Sequence, residues 1–262
     1  MKQLNKIRRG LTWLAHCFKA VTRGYHRQLL PLCDIILKPD DLVIDVGAHA
    51  GQFSKIFSQR TPTGLVLAVE PAAYPLSILQ VVKYLRRMHS VKIIKMGIGV
   101  QQGEAILQTP IKKSGVLRFG LSHISSNDTD HANESVLSEA ITITTIDVLT
   151  NQFGRDHRFA LLKADIEGYE YAMLCGASQS IEKCKPCLLL EISLNREEIM
   201  DYLWQRDYVV FALLNYAGKN KEPLCLAQIQ ENSKNQSRNI LAVHISRHAV
   251  LTQIKDRFSR AI

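Results

Sequence analysis

Short apolar runs alternate with helical patterns along most of the chain. Runs rich in β-branched residues predict strands at 41–46, 64–69, 91–95, 159–164, 187–192, 208–213 and 240–245. Amphipathic spacings predict helices between them at 52–60, 76–88, 170–182 and 197–205. Strands that alternate with helices indicate parallel pairing with right-handed crossovers. The pattern therefore predicts an α/β protein with a Rossmann-like, doubly wound sheet.

Residues 99–140 interrupt this rhythm. Their middle, 114–133, is rich in Ser, Asn, Asp and His, and the alternating runs at 104–108 and 140–145 predict two added strands. The segment falls between the third and fourth core strands, which brings it over the carboxyl edge of the sheet, where open α/β folds bind ligands. We expect a substrate-covering insertion, with His123 and Ser125 as candidate substrate-binding residues.

The N-terminal segment has the pattern of an amphipathic helix. Its apolar residues recur at steps of three and four, at Leu4, Ile7, Leu11, Leu14, Phe18, Val21 and Tyr25. Such a stripe usually packs on the core of its own domain, and we favour that interpretation. The alternative is a helix that lies on an anionic membrane through residues 1–30, since residues 1–33 hold seven basic residues and no acidic one.

These patterns divide the chain into three parts. A basic helical segment at 1–38 precedes the main domain at 39–245, and a second basic helical tail follows at 246–262. The 262 residues, 46% of them hydrophobic, suffice for one sizeable core. Most of the net charge of +9 lies at the two ends, whereas an enzyme of nucleic acids usually carries its positive charge beside the cleft. We therefore expect no nucleic-acid partner.

Cysteine usage and hydropathy bear on the compartment. Six cysteines in a chain of this length do not indicate a disulfide scaffold, so a reduced, cytoplasmic setting is expected. The longest clean apolar run, Cys187 to Leu190, is far shorter than the ~20 residues that span a bilayer. Membrane contact would then be peripheral, at the inner face, through the basic N-terminal segment.

A glycine turn follows the first predicted strand. Gly47 allows a tight turn and Gly51 allows the next helix to begin close to the sheet, with its unpaired N–H groups facing the crevice. The spacing is G-x-x-x-G rather than the G-x-G-x-x-G of dinucleotide sites. Asp45, within the strand, suits a cofactor with a cationic amino group, and Glu70, after the second strand, suits a ribose diol. Together these residues predict S-adenosylmethionine as the cofactor.

Charged residues also alternate at the end of the fourth predicted strand. Lys163, Asp165 and Glu167 point to one side of an extended chain, and we assign all three to catalysis. Asp165 is placed to orient or deprotonate an acceptor hydroxyl, while Lys163 and Glu167 have an ion pair as their alternative role. Glu191, after the fifth strand, is a candidate for substrate binding or for holding a helix N-terminus. No metal site is assigned.

Four sequence strings carry a resemblance to a known family. They are DVGAHAG at 45–51, AVEP at 68–71, TTID at 144–147 and KADIEGYE at 163–170. They resemble the FkbM family of S-adenosylmethionine-dependent methyltransferases over about residues 40–244. The resemblance implies about seven strands with an antiparallel last strand, and O-methylation of a hydroxyl on a sugar, a glycan or a small metabolite. The family usually has Asn where this chain has His49, which we assign to the cofactor site.

Two other functions stay open at this point. A nicotinamide-dependent oxidoreductase would use a similar sheet, although the chain lacks the G-x-G-x-x-G turn. A membrane-recruited binding protein would keep a degenerate methyltransferase fold without its activity. The turn and the fold are shared by enzymes with many acceptors, so the sequence does not define the acceptor.

Overall fold

The computed structural model describes residues 2–110, 123–125, 136–216, 223–231 and 237–258. Its helices, in chain order, are α1 (Lys2–Thr22), α2 (Leu30–Ile36), α3 (Gln52–Arg60), α4 (Ala73–Leu85), α5 (Ile146–Phe153), α6 (Glu170–Cys175), α7 (Ser178–Cys184), α8 (Arg196–Trp204) and α9 (His248–Phe258). Its strands are β1 (Leu42–Val46), β2 (Leu65–Val69), β3 (Val91–Ile94), β4 (Gly97–Ile98), β5 (Gly103–Pro110), β6 (His123–Ser125), β7 (Val136–Thr144), β8 (Phe159–Ala164), β9 (Cys187–Glu191), β10 (Tyr208–Leu214), β11 (Cys225–Ile229) and β12 (Asn239–His244).

A mostly parallel sheet of 8 strands forms the centre, in the order β11-β10-β12-β9-β8-β1-β2-β3. Strands β9, β8, β1, β2 and β3 run parallel to one another. The last strand, β12, lies between β9 and β10 and is antiparallel to both. The α/β class and the antiparallel last strand are confirmed. The eighth strand, β11, extends the edge beyond β10 and was not predicted.

Both faces of the sheet are covered by helices, which explains the unbroken apolar runs in its strands. Every residue of β1 is buried, as expected for a parallel strand between two helical layers. Successive residues face opposite layers: Val43 packs with residues of α1 to α4 and α9, and Ile44 packs with residues of α5 to α8. The sheet is therefore doubly wound, with its carboxyl edge between the layers.

The segment predicted to be an insertion forms a second sheet of 4 strands, in the order β4-β7-β5-β6. The added strands pair as expected, since β5 and β7 are antiparallel with Ile106 opposite Ala140. Residues 111–122 and 126–135, which include most of the polar stretch, lie outside the described residues.

One predicted helix needs correction. The segment 170–182 forms two helices, α6 and α7, which are separated at Gly176. A Cβ on Gly176 would collide with the backbone carbonyl of Gly99, so glycine lets the chain between the two helices pass close to the end of β4. Helix α5 was not predicted. Its N-cap is nevertheless formed by a residue next to it in the sequence, since the Thr145 hydroxyl accepts a hydrogen bond from Val148 N at 3.1 Å.

Helix α1 packs on the domain with a face other than the predicted one. Trp13 is half-buried, and Cys17 and Ala20 are buried in the core. Trp13 Nε1 donates a hydrogen bond to Ser77 Oγ of α4 at 2.8 Å. The predicted core stripe is instead exposed at Leu11 (62%), Leu14 (56%) and Phe18 (72%). The favoured packing of this stripe is therefore wrong for these three residues, because the face with Trp13, Cys17 and Ala20 makes the contacts with the domain.

Candidate active site

A cavity of about 310 Å³ opens at the carboxyl ends of β1, β2 and β8. The glycine turn after β1 forms its floor, and the ends of β2 and β8 form two of its walls. Met96, Ile98 and Leu107 add apolar surface from the segment that leads into the second sheet. Its position is the one at which open α/β sheets bind ligands.

Two glycines shape the floor of the cavity. Gly47 has a φ of 69° and Gly51 a φ of 78°, both in the left-handed region. A Cβ on Gly47 would collide with the backbone carbonyl of Asp165, so glycine lets the turn after β1 touch the turn after β8. A Cβ on Gly51 would lie 2.6 Å from Leu79 Cδ1, so α3 begins close to α4. Both glycines have the conformational roles that the sequence predicts.

Glu70 is the buried acid on the β2 wall. Its side chain lines the cavity and is only 6% exposed. His49 N donates to Oε2 at 2.8 Å, and Ala72 N donates to Oε1 at 2.9 Å. Burial raises the pKa of Glu70 to about 7, against the opposing effect of these hydrogen bonds. The imidazole of His49 is exposed and also lines the cavity.

Asp45 forms a buried ion pair with Lys163. The two residues are 0% and 3% exposed, and Lys163 Nζ lies 3.4 Å from Asp45 Oδ1. Ser54 Oγ donates to Asp45 Oδ2 at 2.6 Å. Burial raises the pKa of Asp45, and the charge of Lys163 opposes this. Lys163 lines the cavity, whereas Asp45 lies behind Lys163 and does not line it. Binding of the cofactor by Asp45 and catalysis by Lys163 stay predictions.

Asp165 and Glu167 both line the cavity on the β8 wall. Asp165 is half-buried, and its N–H donates to Val46 O at 3.3 Å. Glu167 has a φ of 49°, and burial, together with the nearby charge of Asp165, raises the pKa of Glu167. Two acids thus face one space at the end of β8.

The buried side chain of Glu170 stabilises the turn that carries these two acids. This side chain is 0% exposed and accepts hydrogen bonds from Ile166 N at 3.2 Å and from Gly168 N at 3.0 Å. The last acid of the KADIEGYE string therefore fixes the backbone of the turn, while Asp165 and Glu167 face the cavity.

Arg238 connects the acids at the outer rim of the cavity. Its NH2 lies 3.6 Å from Glu191 Oε1 and 3.9 Å from Glu167 Oε2, and it donates to Ser193 Oγ at 3.1 Å. Glu191 is 34% exposed, and burial raises its pKa. The antiparallel course of β12 brings Arg238 to this edge, since Asn239 pairs with Glu191. Neither Ser193 nor Arg238 was predicted.

His26 closes the cavity on the side of the N-terminal segment. Its ring stacks on Phe53 with the centroids 4.3 Å apart, and its Nδ1 lies 2.5 Å from Tyr216 Oη. Burial, with a contribution from the positive charge of Lys163, lowers the pKa of His26 to about 4. No local motif marks His26, because it meets Phe53 and Tyr216 only through the fold.

The remaining predicted residues lie in the second sheet. The backbones of His123 and Ser125 pair with Gln108 and Ile106 of β5, one strand away from the cavity wall at Leu107. Their side chains lie outside the described part of the structure. Among the described residues, no group of three or more His, Cys, Asp or Glu side chains is arranged to hold a metal ion.

The fold and the site define the class of the protein. A mostly parallel sheet with a reversed last strand, a glycine turn after β1 and an acid after β2 are features of Rossmann-like methyltransferases. The family described as "Methyltransferase FkbM domain" matches residues 45–210, and the chain belongs to this family. The family resemblance noted from the four sequence strings is thereby confirmed.

Several solved structures are similar to this chain. The methyltransferase FkbM from Methylobacillus flagellatus KT is 18% identical, with a TM-score of 0.49, over 79% of this chain and 44% of that protein. The precorrin-6y C5,15-methyltransferase from Geobacter metallireducens GS-15 is 12% identical, with a TM-score of 0.45, over 82% of this chain and 87% of that protein. An rRNA methylase from Streptococcus thermophilus is 10% identical, with a TM-score of 0.45, over 86% of this chain and 97% of that protein. The chain thus spans less than half of the Methylobacillus protein. A search of curated proteins finds no significant match.

Proposed function

We propose that this protein uses S-adenosylmethionine to methylate a hydroxyl group on a sugar, a glycan or a small metabolite. Its family makes it a methyltransferase. The observation that best supports the cofactor and the acceptor is one cavity with Glu70 on the β2 wall and Asp165 on the β8 wall. The glycine turn lies between them. One wall suits the ribose of the cofactor and the other suits an acceptor hydroxyl.

The residues around the cavity fit S-adenosylmethionine. Each oxygen of Glu70 accepts one backbone hydrogen bond and keeps a lone pair for a ribose hydroxyl. Gln52 Oε1 is buried at the cavity and has no hydrogen-bond partner among the described residues, so it is available to the amino group of the cofactor. When bound, S-adenosylmethionine supplies an electrophilic methyl group on its sulfonium.

The opposite wall supports a hydroxylated acceptor. Asp165 would orient the acceptor hydroxyl and take its proton at a carboxylate oxygen. Beside it, Glu167, Glu191 and Arg238 form a rim that presents two carboxylates and one guanidinium. Charged groups of this kind make strong hydrogen bonds to hydroxyls, which favours a sugar-like acceptor over an apolar one.

Calorimetric titration of the full chain with S-adenosylmethionine, S-adenosylhomocysteine and NAD tests this function against its alternatives. We expect both sulfur compounds to bind and NAD not to bind, because the turn lacks G-x-G-x-x-G. Tight binding of NAD alone would indicate the oxidoreductase. Binding of none of the three would indicate a degenerate fold. Asp34→Asn is the control variant: it removes a surface acid that pairs with Arg60, and it should bind the three compounds as the wild type does.

The affinity for S-adenosylmethionine should depend on pH through Glu70. The pKa of Glu70 is about 7 in the absence of the cofactor, and the ionised carboxylate accepts hydrogen bonds from both ribose hydroxyls. Raising the pH from about 6 to about 8 ionises Glu70, so the dissociation constant should fall about tenfold. Calorimetry across this pH range measures the dissociation constant. Glu70→Gln should remove this dependence, and a variant with the pH profile of the wild type would exclude Glu70 from the cofactor site.

The proposed place of action is the cytoplasm. All six cysteines are free thiols, which supports a reducing compartment. Separately, no helix among the residues that the structure describes has the length and hydropathy needed to cross a bilayer.

A further inference from the structure

Helix α1 presents an apolar face to solvent in addition to its packing face. At 3.6 residues per turn, Leu11, Leu14 and Phe18 share one side of the helix, and Trp13, Cys17 and Ala20 share a second side, roughly 120° further around the axis. The second set packs on the domain, whereas the first is more than half exposed at every position. The domain therefore holds α1 in place and directs Leu11, Leu14 and Phe18 outward. We refer to these three residues as the outer stripe.

The second terminal helix behaves differently. Helix α9 is also amphipathic and carries Lys255 and Arg257 in its last turn. Its apolar residues Leu251, Ile254 and Phe258 are all buried against the domain. A terminal helix of this chain can thus bury its stripe completely, and α1 does not.

The segment that carries the outer stripe is basic. Residues 1–33 contain seven basic residues and no acidic one, and Lys19, Arg23 and Arg27 among them are exposed. In the sequence, the apolar spacing of the stripe continues toward the N-terminus at Leu4 and Ile7. An exposed apolar helical face in a segment whose charged residues are all basic is typical of helices that lie in the interface of anionic membranes.

A second exposed apolar group lies at the end of α4. Helices α1 and α4 are antiparallel, since Trp13 contacts Ser77 and the later His16 contacts the earlier Tyr74. The C-terminal end of α4 therefore lies beside the N-terminal half of α1. This end exposes Tyr84 (82%), Leu85 (57%), Arg86 and Arg87.

We propose that the outer stripe of α1 and its basic neighbours are a docking surface for an anionic lipid bilayer. The helix would lie in the plane of the interface, with the stripe among the lipid chains and the cations at the headgroups. Charge favours this partner over a second copy of the chain, because a symmetric dimer through α1 would place two sets of basic residues against each other. The proposal does not depend on methyl transfer.

Vesicle co-sedimentation of the full chain tests this docking. One set of vesicles is phosphatidylcholine alone, and the other contains about one-third phosphatidylglycerol. We expect the protein to pellet with the anionic vesicles, at least about tenfold less with the neutral ones, and less as salt is raised. Binding that is equal on both, or absent from the anionic vesicles, would overturn the proposal without any variant.

A matched pair of variants locates the surface. Leu11→Gln/Leu14→Gln/Phe18→Gln should reduce binding to anionic vesicles about tenfold or more. Val100→Gln/Ile106→Gln/Ile245→Gln removes three apolar residues that are exposed elsewhere and should bind like the wild type. Equal binding of the two variants would exclude the outer stripe.

Two further measurements complete the test. Affinity for S-adenosylmethionine, measured in parallel, should be the same in both variants, which separates this proposal from the proposed function and reports that both variants fold. Sedimentation velocity distinguishes a second copy as the partner. A wild-type dimer that the outer-stripe variant alone dissociates, without vesicle binding, would overturn the membrane proposal.

Discussion

Asp165→Asn is expected to lower the rate of methyl transfer by about 10²–10⁴-fold while changing the affinity for S-adenosylmethionine little. The substitution keeps the shape of the side chain and its capacity for hydrogen bonds, but it removes the charge that accepts the hydroxyl proton. Glu70, which we propose binds the ribose of the cofactor, lies on the other wall. Passage of a tritiated methyl group from S-adenosylmethionine into an acceptor fraction measures the rate, and calorimetry measures the affinity.

Two other variants make this result specific. Glu70→Ala should show the reverse defect, with cofactor binding weakened by about 1.5–3 kcal/mol through loss of hydrogen bonds to a charged group. Asp156→Asn removes an exposed acid before the opposite end of β8 and should leave both quantities unchanged. An unchanged rate in Asp165→Asn would make Asp165 a structural residue. Loss of the cofactor in that variant, with normal binding by Glu70→Ala, would mean that the two walls are assigned the wrong way round.

Lys163→Met should lower the free energy of unfolding by about 3–5 kcal/mol, the cost of leaving one member of a buried ion pair alone. Asp45 is 0% exposed, and Lys163 Nζ at 3.4 Å from Oδ1 is the cation beside it. The ammonium also donates to the carbonyls of Val46 and Gly47, each at 3.2 Å, so its loss leaves polar atoms of the glycine turn without these bonds. Unfolding in urea, followed by circular dichroism, measures the change.

The double variant Asp45→Asn/Lys163→Met tests the cause. It removes both charges, so its loss of stability should be smaller than that of Lys163→Met alone. Arg60→Met is the control for a surface pair, because Arg60 and Asp34 are 25% and 51% exposed, and it should cost about 1 kcal/mol or less. A double variant at least as unstable as Lys163→Met would show that packing, rather than charge, sets the loss.

Most of the central sheet could be predicted from the sequence, because its strands and helices differ in period. The predicted helix 52–60 and the predicted strand 159–164 coincide with α3 and β8. Strand β11 escaped prediction because it lies at the edge of the sheet, where its pairing with β10 is a tertiary contact. Periodicity also defined an apolar stripe on α1 but not which face packs, since that depends on tertiary contacts such as Trp13 with Ser77 and Ala20 with Lys55.

The residues of the candidate site also divide into those that the sequence predicts and those that it does not. Gly47, Glu70 and Asp165 were found because each one follows a strand within a local string, and the carboxyl ends of parallel strands meet at one edge. The Asp45–Lys163 pair depends on the register between β1 and β8, which places these two residues side by side. His26 reaches the cavity, and Arg238 reaches Glu167 at its rim, from distant segments. Contacts of this kind have no signature in a single sequence.

The place of β12 in the sheet has a consequence for synthesis on the ribosome. Strands β9 and β10 are consecutive in the sequence of the main sheet but do not touch, because β12 is inserted between them. Until residues 239–244 emerge from the exit tunnel, the nascent chain has two unpaired strand edges in the middle of its sheet. The sheet therefore closes only after residue 244 has been made. A nascent chain stalled before β12 should depend on chaperones and aggregate readily.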